Sequence, residues 1–196
     1  MKRSMLAAIP AILSALPAFA ALSNGASAPD FSAQASLAGK AFAFSLAEAR
    51  RTGPVVVYFY PSAFTEGCNV QAHEFAVKMD KFKAAGATVI GVSLDNITRL
   101  NAFSADPNYC AGKVPVASDA DGKIAKSYDL KVGAEAPGFK DTRGVEIGHG
   151  FAERTTFIVT RDGKIAATIG GLAPKLNVDQ ALAEVQRLSA AGKPGS

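Results

Sequence analysis

The sequence predicts a layered α/β fold, a sheet with helices packed on both faces, from three observations. The run Val55-Val56-Val57-Tyr58-Phe59-Tyr60 is apolar, β-branched and aromatic, and reads as a fully buried strand. Directly after it, Ala72, Phe75, Ala76, Met79 and Phe82 recur at helical spacing and give one apolar face to a helix beginning near Cys68. Strand and helix patterns then alternate along the chain and close on a late hairpin, the order of a layered α/β structure.

Taken in order, the chain opens on Met1-Lys2-Arg3 and a small apolar stretch from Met5 to Ala20, interrupted by Pro10 and Pro17. It ends in Ala18-Phe19-Ala20, an A-x-A cleavage site, so residues 1–20 read as a secretory signal peptide, too short for a spanning helix. No cysteine follows the site for lipid attachment, so no stable membrane anchor is expected after cleavage, and the product is expected in the periplasm or outside the cell. Residues 21–196 are expected to form a single domain, long enough to bury a sizeable core. The formal charge of +4 includes Lys2 and Arg3, and no basic stripe points to nucleic acid.

Phe31 to Phe44 turns around Gly39 as a hairpin, and Ser45 caps a short helix that Gly53-Pro54 ends. Pro61, with no N–H to give a sheet, stops the central strand. Ala87 to Leu94 is a second strand. Asp95 reads as the N-cap of a helix whose apolar face is Ile97, Leu100 and Phe103. Val114 to Ala117 is a short strand and Gly122 to Tyr128 a short helix. Leu130 to Gly150, rich in glycine and charge, offers no regular pattern. Arg154 to Thr160 and Lys164 to Ile169 form the hairpin around Arg161-Asp162-Gly163. Asn177 and Gln180 read as a capping pair for a last helix bearing Val178, Leu182, Val185 and Leu188.

Cys68 then sits in the first turn of a helix, after a loop leaving a strand end. Free N–H groups and the positive end of the helix dipole meet a thiol there and favour its thiolate, the nucleophilic form. Thr65, three residues earlier, is placed for its hydroxyl to face the sulfur. The other cysteine is Cys110. In an exported chain two cysteines also fit a structural disulfide in an inert binding module. Asn69-Val70-Gln71 after Cys68 excludes a Cys-x-x-Cys pair and counts against a disulfide oxidoreductase. His73 and His149 stand in no metal-ligand spacing, and no metal or cofactor is expected.

Pro61, Thr65 and Cys68, as Pro-x-x-x-Thr-x-x-Cys, resemble the active-site motif of the peroxiredoxins, thioredoxin-fold peroxidases that use a cysteine. Ala28-Pro29-Asp30-Phe31, Val89-Ile90-Gly91-Val92-Ser93, Val116-Ala117-Ser118-Asp119 and Arg154-Thr155-Thr156-Phe157-Ile158-Val159 resemble further segments of that family in the same order, most closely its Q-type, or bacterioferritin-comigratory, group. The resemblance implies a thioredoxin-like fold with a central mixed sheet and helices on both faces. It implies reduction of hydrogen peroxide and organic hydroperoxides by Cys68, with Thr65, Arg154 and the Gly67 and Cys68 N–H groups as donors and Pro61 shielding the sulfur. It implies Cys110 as the resolving thiol through an intrachain disulfide, a thioredoxin-like dithiol protein as reductant, and a monomer or weak dimer. Two positions depart from the family pattern: Glu66 stands where proline is frequent, and Gln71 where a glutamate would orient the arginine.

Overall fold

The computed structural model describes residues 21–191, so the proposed signal peptide lies outside the described residues. The chain enters through the antiparallel pair β1 (Ser32–Leu37) and β2 (Lys40–Ser45). Ala38 and Gly39 both take positive φ, 50° and 79°, which a two-residue hairpin turn requires. Ser45 accepts from the Glu48 N–H and so caps α1 (Leu46–Ala49), as its sequence position predicts.

Then come β3 (Val55–Phe59), α2 (Glu66–Ala84), β4 (Thr88–Ser93), α3 (Ile97–Ala105), β5 (Val116–Ser118) and α4 (Lys123–Ser127). Two short strands, β6 (Val132–Gly133) and β7 (Phe151–Ala152), pair with each other and bracket the stretch that carries no sequence pattern. The chain ends in the hairpin β8 (Thr155–Val159) and β9 (Ile165–Gly170), then α5 (Pro174–Ala191). The main sheet has seven strands in the order β2-β1-β5-β4-β3-β8-β9. β3, β4 and β5 are parallel, and the flanking pairs are antiparallel, so the sheet is mixed as expected.

The alternation of β3 divides the core in two. Val55, Val57 and Phe59 face Leu46, Tyr128 and Phe157 on one side. Val56, Tyr58 and Tyr60 face Phe75, Phe82, Phe103 and Val178, contributed by α2, α3 and α5, on the other. β3 is paired on both edges and buried throughout, so its C-terminal end is a fixed point. The segment from that end into the first turn of α2 carries Pro61, Thr65 and Cys68.

Two boundaries differ from the sequence reading. α3 is capped by Asn96, whose side chain accepts from Arg99 N–H, while Asp95 turns inward. α5 starts at Pro174, where a missing N–H is harmless, so Asn177 lies inside the helix and caps nothing. Cys110 lies in the turn that follows α3, beyond the helix itself.

Candidate active site

Cys68 occupies the third position of α2, with Thr65 as the N-cap residue. No side chain caps this helix, so donors of its first turn remain for another acceptor. Cys68 is 2% exposed. Arg154, from the residue before β8, donates Nη2 to the Cys68 sulfur at 3.2 Å. Gly67 gives the guanidinium room: a Cβ there would stand 3.2 Å from Arg154 Nη2.

Arg154 also donates Nη1 to the Gln71 side-chain oxygen. Gln71 therefore orients the arginine without a carboxylate, and it is wholly buried. Glu66 is exposed and does not enter the pocket. Pro61 is partly buried at the end of β3.

The Thr65 hydroxyl differs from the expectation. It donates to the Ser62 carbonyl at 2.9 Å instead of facing its proton to the sulfur. Its oxygen keeps lone pairs for an incoming donor.

The loop before Cys68 is held from beneath by Asp95, a wholly buried carboxylate. It accepts from Ser62 Oγ at 2.9 Å, Ala63 N–H at 2.7 Å and Ser93 Oγ at 2.7 Å. Arg99 Nε lies 2.8 Å from Asp95, and Arg99 Nη2 reaches the Ala63 carbonyl and Asp141. His149 completes the group, with Nε2 at 2.8 Å from Asp95 and Nδ1 at 2.7 Å from the Gly150 carbonyl. Both partners only accept, so the contacts favour the imidazolium, in which both ring nitrogens donate. Burial alone would lower the His149 pKa, but the Asp95 and Gly150 bonds outweigh it and raise it above the usual value. Burial would likewise raise Asp95, but the His149 and Ala63 donors bring it below the usual carboxylate range.

Phe64, between that anchor and Thr65, takes φ 62°, an outlier for an aromatic residue. The loop around it fixes this geometry: Thr142 donates to the Phe64 carbonyl through both N–H and hydroxyl, at 3.0 and 2.8 Å. The Arg143 guanidinium lies over the Phe64 ring at 3.2 Å.

Cys110 is wholly buried, and the two cysteines are separate thiols. Burial, then the nearby Asp106 charge, pushes the Cys110 thiol far up, so in this conformation it is neutral. Its neighbour Tyr109 packs on Phe64 and Phe103, with centroids 5.8 and 5.7 Å away. His73, on α2, meets the Asn108 carbonyl at 3.1 Å and so ties this turn to the cysteine helix.

Of the residues singled out by sequence, Cys68 and Arg154 converge, Thr65 is the N-cap residue of the helix that carries Cys68, and Pro61 stands at the end of β3. Cys110 belongs to the adjoining aromatic cluster and makes no bond to Cys68. The sequence reading missed Asp95, Arg99 and Thr142 as supports of the site. Among the described residues no group of histidine, cysteine and acidic side chains is arranged to hold a metal.

Residues 24–168 match the AhpC/TSA family. A Coxiella burnetii protein bearing a peroxiredoxin name is 31% identical over 131 residues, 67% of this chain and 77% of that one. The structure of peroxidoxin BcpB from Mycobacterium tuberculosis superposes at a TM-score of 0.69 with 25% identity, covering 85% of this chain and 98% of that one. The bacterioferritin comigratory protein of Xanthomonas campestris, solved in connection with its alkyl peroxide reduction activity, superposes at 0.62 with 25% identity, covering 80% and 91%.

Proposed function

This chain belongs to the AhpC/TSA family, and we propose that Cys68 is its peroxidatic thiol and Cys110 its resolving thiol. The chain is a peroxiredoxin, a thiol-dependent peroxidase of thioredoxin-like fold. The observation that carries the assignment of Cys68 is the Arg154 guanidinium 3.2 Å from its sulfur, at the start of α2.

On this reading the Cys68 thiolate attacks one oxygen of the peroxide. An S–O bond forms, the O–O bond breaks, and the other oxygen leaves as hydroxide or alkoxide, to be protonated to water or an alcohol. Charge builds on the leaving oxygen, where Arg154 and the Gly67 and Cys68 N–H groups act as preorganised donors. Thr65 has committed its proton to the Ser62 carbonyl, so its oxygen accepts the proton of the bound hydroperoxide. Pro61 shields the sulfur from water.

Cys68 is then a sulfenic acid. The Cys110 thiol attacks its sulfur, an S–S bond forms and water leaves, so the two thiols together supply both electrons. A thioredoxin-like dithiol protein exchanges with this disulfide and restores both thiols. Both hydrogen peroxide and organic hydroperoxides are substrates on this reading. The A-x-A site at Ala18-Phe19-Ala20 supports export and work in the periplasm or outside the cell, as a monomer or weak dimer.

The test is Arg154→Met. A hydrogen bond to a charged group is worth about 1.5–3 kcal/mol, or roughly ten- to hundredfold in rate. The first-turnover rate with peroxide, followed by stopped flow, should fall by that factor. A variant that reacts at the wild-type rate would remove Arg154 from the mechanism.

A further inference from the structure

Gln71 holds Arg154 with an amide, and an amide has two unlike ends: oxygen accepts and nitrogen donates. Only the oxygen end can hold a guanidinium. The side chain that commits the other end lies on α5. The Ile169 carbonyl can only accept, and Asn177 Nδ2 donates to it at 3.0 Å. Asn177 Oδ1 is thereby turned to the opposite side, where it accepts from Thr156 Oγ1 at 2.6 Å and from Gln71 Nε2 at 3.0 Å. The nitrogen of Gln71 is thus committed to Asn177, and its oxygen faces Arg154. Gln71, Thr156 and Asn177 are at most 1% exposed, so water does not replace any member.

The same site on α5 sits beside Val178 and Ala181 in an apolar cluster. A polar side chain buried there is unfavourable unless every group is bonded. Packing alone would be met by an aliphatic residue.

We infer that Asn177 is a positioning residue for the Cys68 reaction, acting through Gln71 to hold the Arg154 guanidinium against the sulfur. The inference rests on Cys68 as the peroxidatic thiol. Asn177 touches neither sulfur nor peroxide. It also explains how this chain works with Gln71 in place of a carboxylate: a charge would select the arginine unaided, whereas an amide needs a second partner.

The experiment measures two rates on the reduced full-length protein: first turnover with hydrogen peroxide, and alkylation of Cys68 by iodoacetamide, read by peptide mass. Asn177→Ala should slow both roughly five- to tenfold, the value of one buried hydrogen-bond partner. Gln71→Glu in that background should recover most of the loss, because either carboxylate oxygen holds the guanidinium. Gln71→Glu alone sets an oxygen against Asn177 Oδ1 and should be slower than the double variant. Wild-type rates in Asn177→Ala overturn the inference, and so does a loss that Gln71→Glu leaves unrepaired, since that is a packing defect.

If Asn177→Ala does not fold, Asn177→Asp decides. It keeps both acceptor contacts and sets a carboxylate oxygen against the Ile169 carbonyl where the donor stood. It should therefore lose thermal stability while its rates stay within about twofold of wild type, less than one hydrogen bond's worth. Rates that fall together with stability overturn the inference. Failure of the underlying assignment reads differently: Cys68→Ser would still reduce peroxide, while alkylation of Cys68 in the Asn177→Ala protein would still report the hold of Arg154 on the sulfur.

Discussion

Replacing Tyr109 by alanine should make disulfide formation between Cys68 and Cys110 faster. Both thiols are buried and unbonded, so resolution requires one or both segments to open. Tyr109 closes the Cys110 side: its ring meets Phe64 edge-on at 5.8 Å and 81°, and Phe103 at 5.7 Å and 30°. Each such pair is worth about 0.5–1.5 kcal/mol, so losing both relieves the closed state by about 1–3 kcal/mol. If the contacts are absent in the open state, the open population rises roughly five- to hundredfold. The assay is addition of one equivalent of peroxide to reduced protein, quenching with an alkylating agent at intervals, and counting disulfide by mass. The peroxide step should keep its rate, because Arg154 and the first turn of α2 are untouched. The dose of peroxide that drives Cys68 to sulfinic acid should rise, since resolution competes with over-oxidation. Phe31→Ala is the control, because it removes two aromatic pairs, with Phe44 and Tyr128, on the opposite face. Equal disulfide rates in wild type and Tyr109→Ala would refute the reasoning, and so would equal acceleration by Phe31→Ala.

Two further outcomes follow from the same geometry. Cys110→Ser should still react once with peroxide and then gain oxygen instead of losing two hydrogens by mass; normal turnover with the same dithiol reductase would show that Cys110 is not the resolver. The His149 pKa is raised in the folded state, so its contribution to stability is complete below the unfolded value of about 6.5 and is lost as pH rises through the folded value. The thermal midpoint of wild type should therefore decline above about pH 6.5 more steeply than that of His149→Gln, a neutral donor to Asp95; parallel curves would count against an ionised His149. Asp95, lowered in the fold, sets the opposite limb, with stability present above about pH 3.9 and lost as pH falls through its folded value.

The regular elements were legible because their signals are local and periodic. β3 announces itself as an unbroken β-branched and aromatic run, and α2 by one apolar face from Ala72 to Phe82. The position of Cys68 in the first turn of α2 followed from those two patterns alone. The supports of the site were not legible, because their partners are distant in sequence. Asp95 stands where a capping aspartate belongs, yet Asn96 beside it does the capping, and Asp95 is defined by Ser62 and His149, 33 and 54 residues away. Asn177 resembles a cap for the same reason, although it is fixed by Gln71, 106 residues earlier. The stretch from Leu130 to Gly150 lacks periodicity because side chains and backbone bonds organise it, with Asp141 accepting from Arg99, Arg143 and Val145. A buried acid or amide next to a site motif is the signal that was present in the sequence, but it has the same local appearance as a cap.

The two cysteines are held unequally, and that inequality sets where the molecule opens. The chain before Cys68 is tied by Ser62 and Ala63 to one carboxylate, by the Ala63 carbonyl to Arg99, and twice by Phe64 to Thr142. Two of the groups it meets, Asp95 and Arg99, are charged, and bonds of that kind are among the stronger ones. The turn around Cys110 is closed by local backbone bonds, such as Ala111 to Asp106 and Gly112 to Ser104. Its ties to the rest of the molecule are the His73 contact, the Tyr109 ring and the packing of the buried Cys110 side chain in the core. Opening the Cys110 turn breaks no buried ion pair, whereas withdrawing the Cys68 loop would strip two donors from Asp95. On the proposed assignment the reaction has a use for this order: the peroxide step needs the Cys68 loop fixed against Arg154, and Cys110 is needed only afterwards. Phe64 joins the two, since it is strained at φ 62°, pinned through its carbonyl, and packed through its ring on Tyr109. Release of Tyr109 therefore removes a ring contact from the strained residue that precedes Thr65, while the Thr142 bonds and the Asp95 anchor keep the Cys68 loop in place as the Cys110 turn opens.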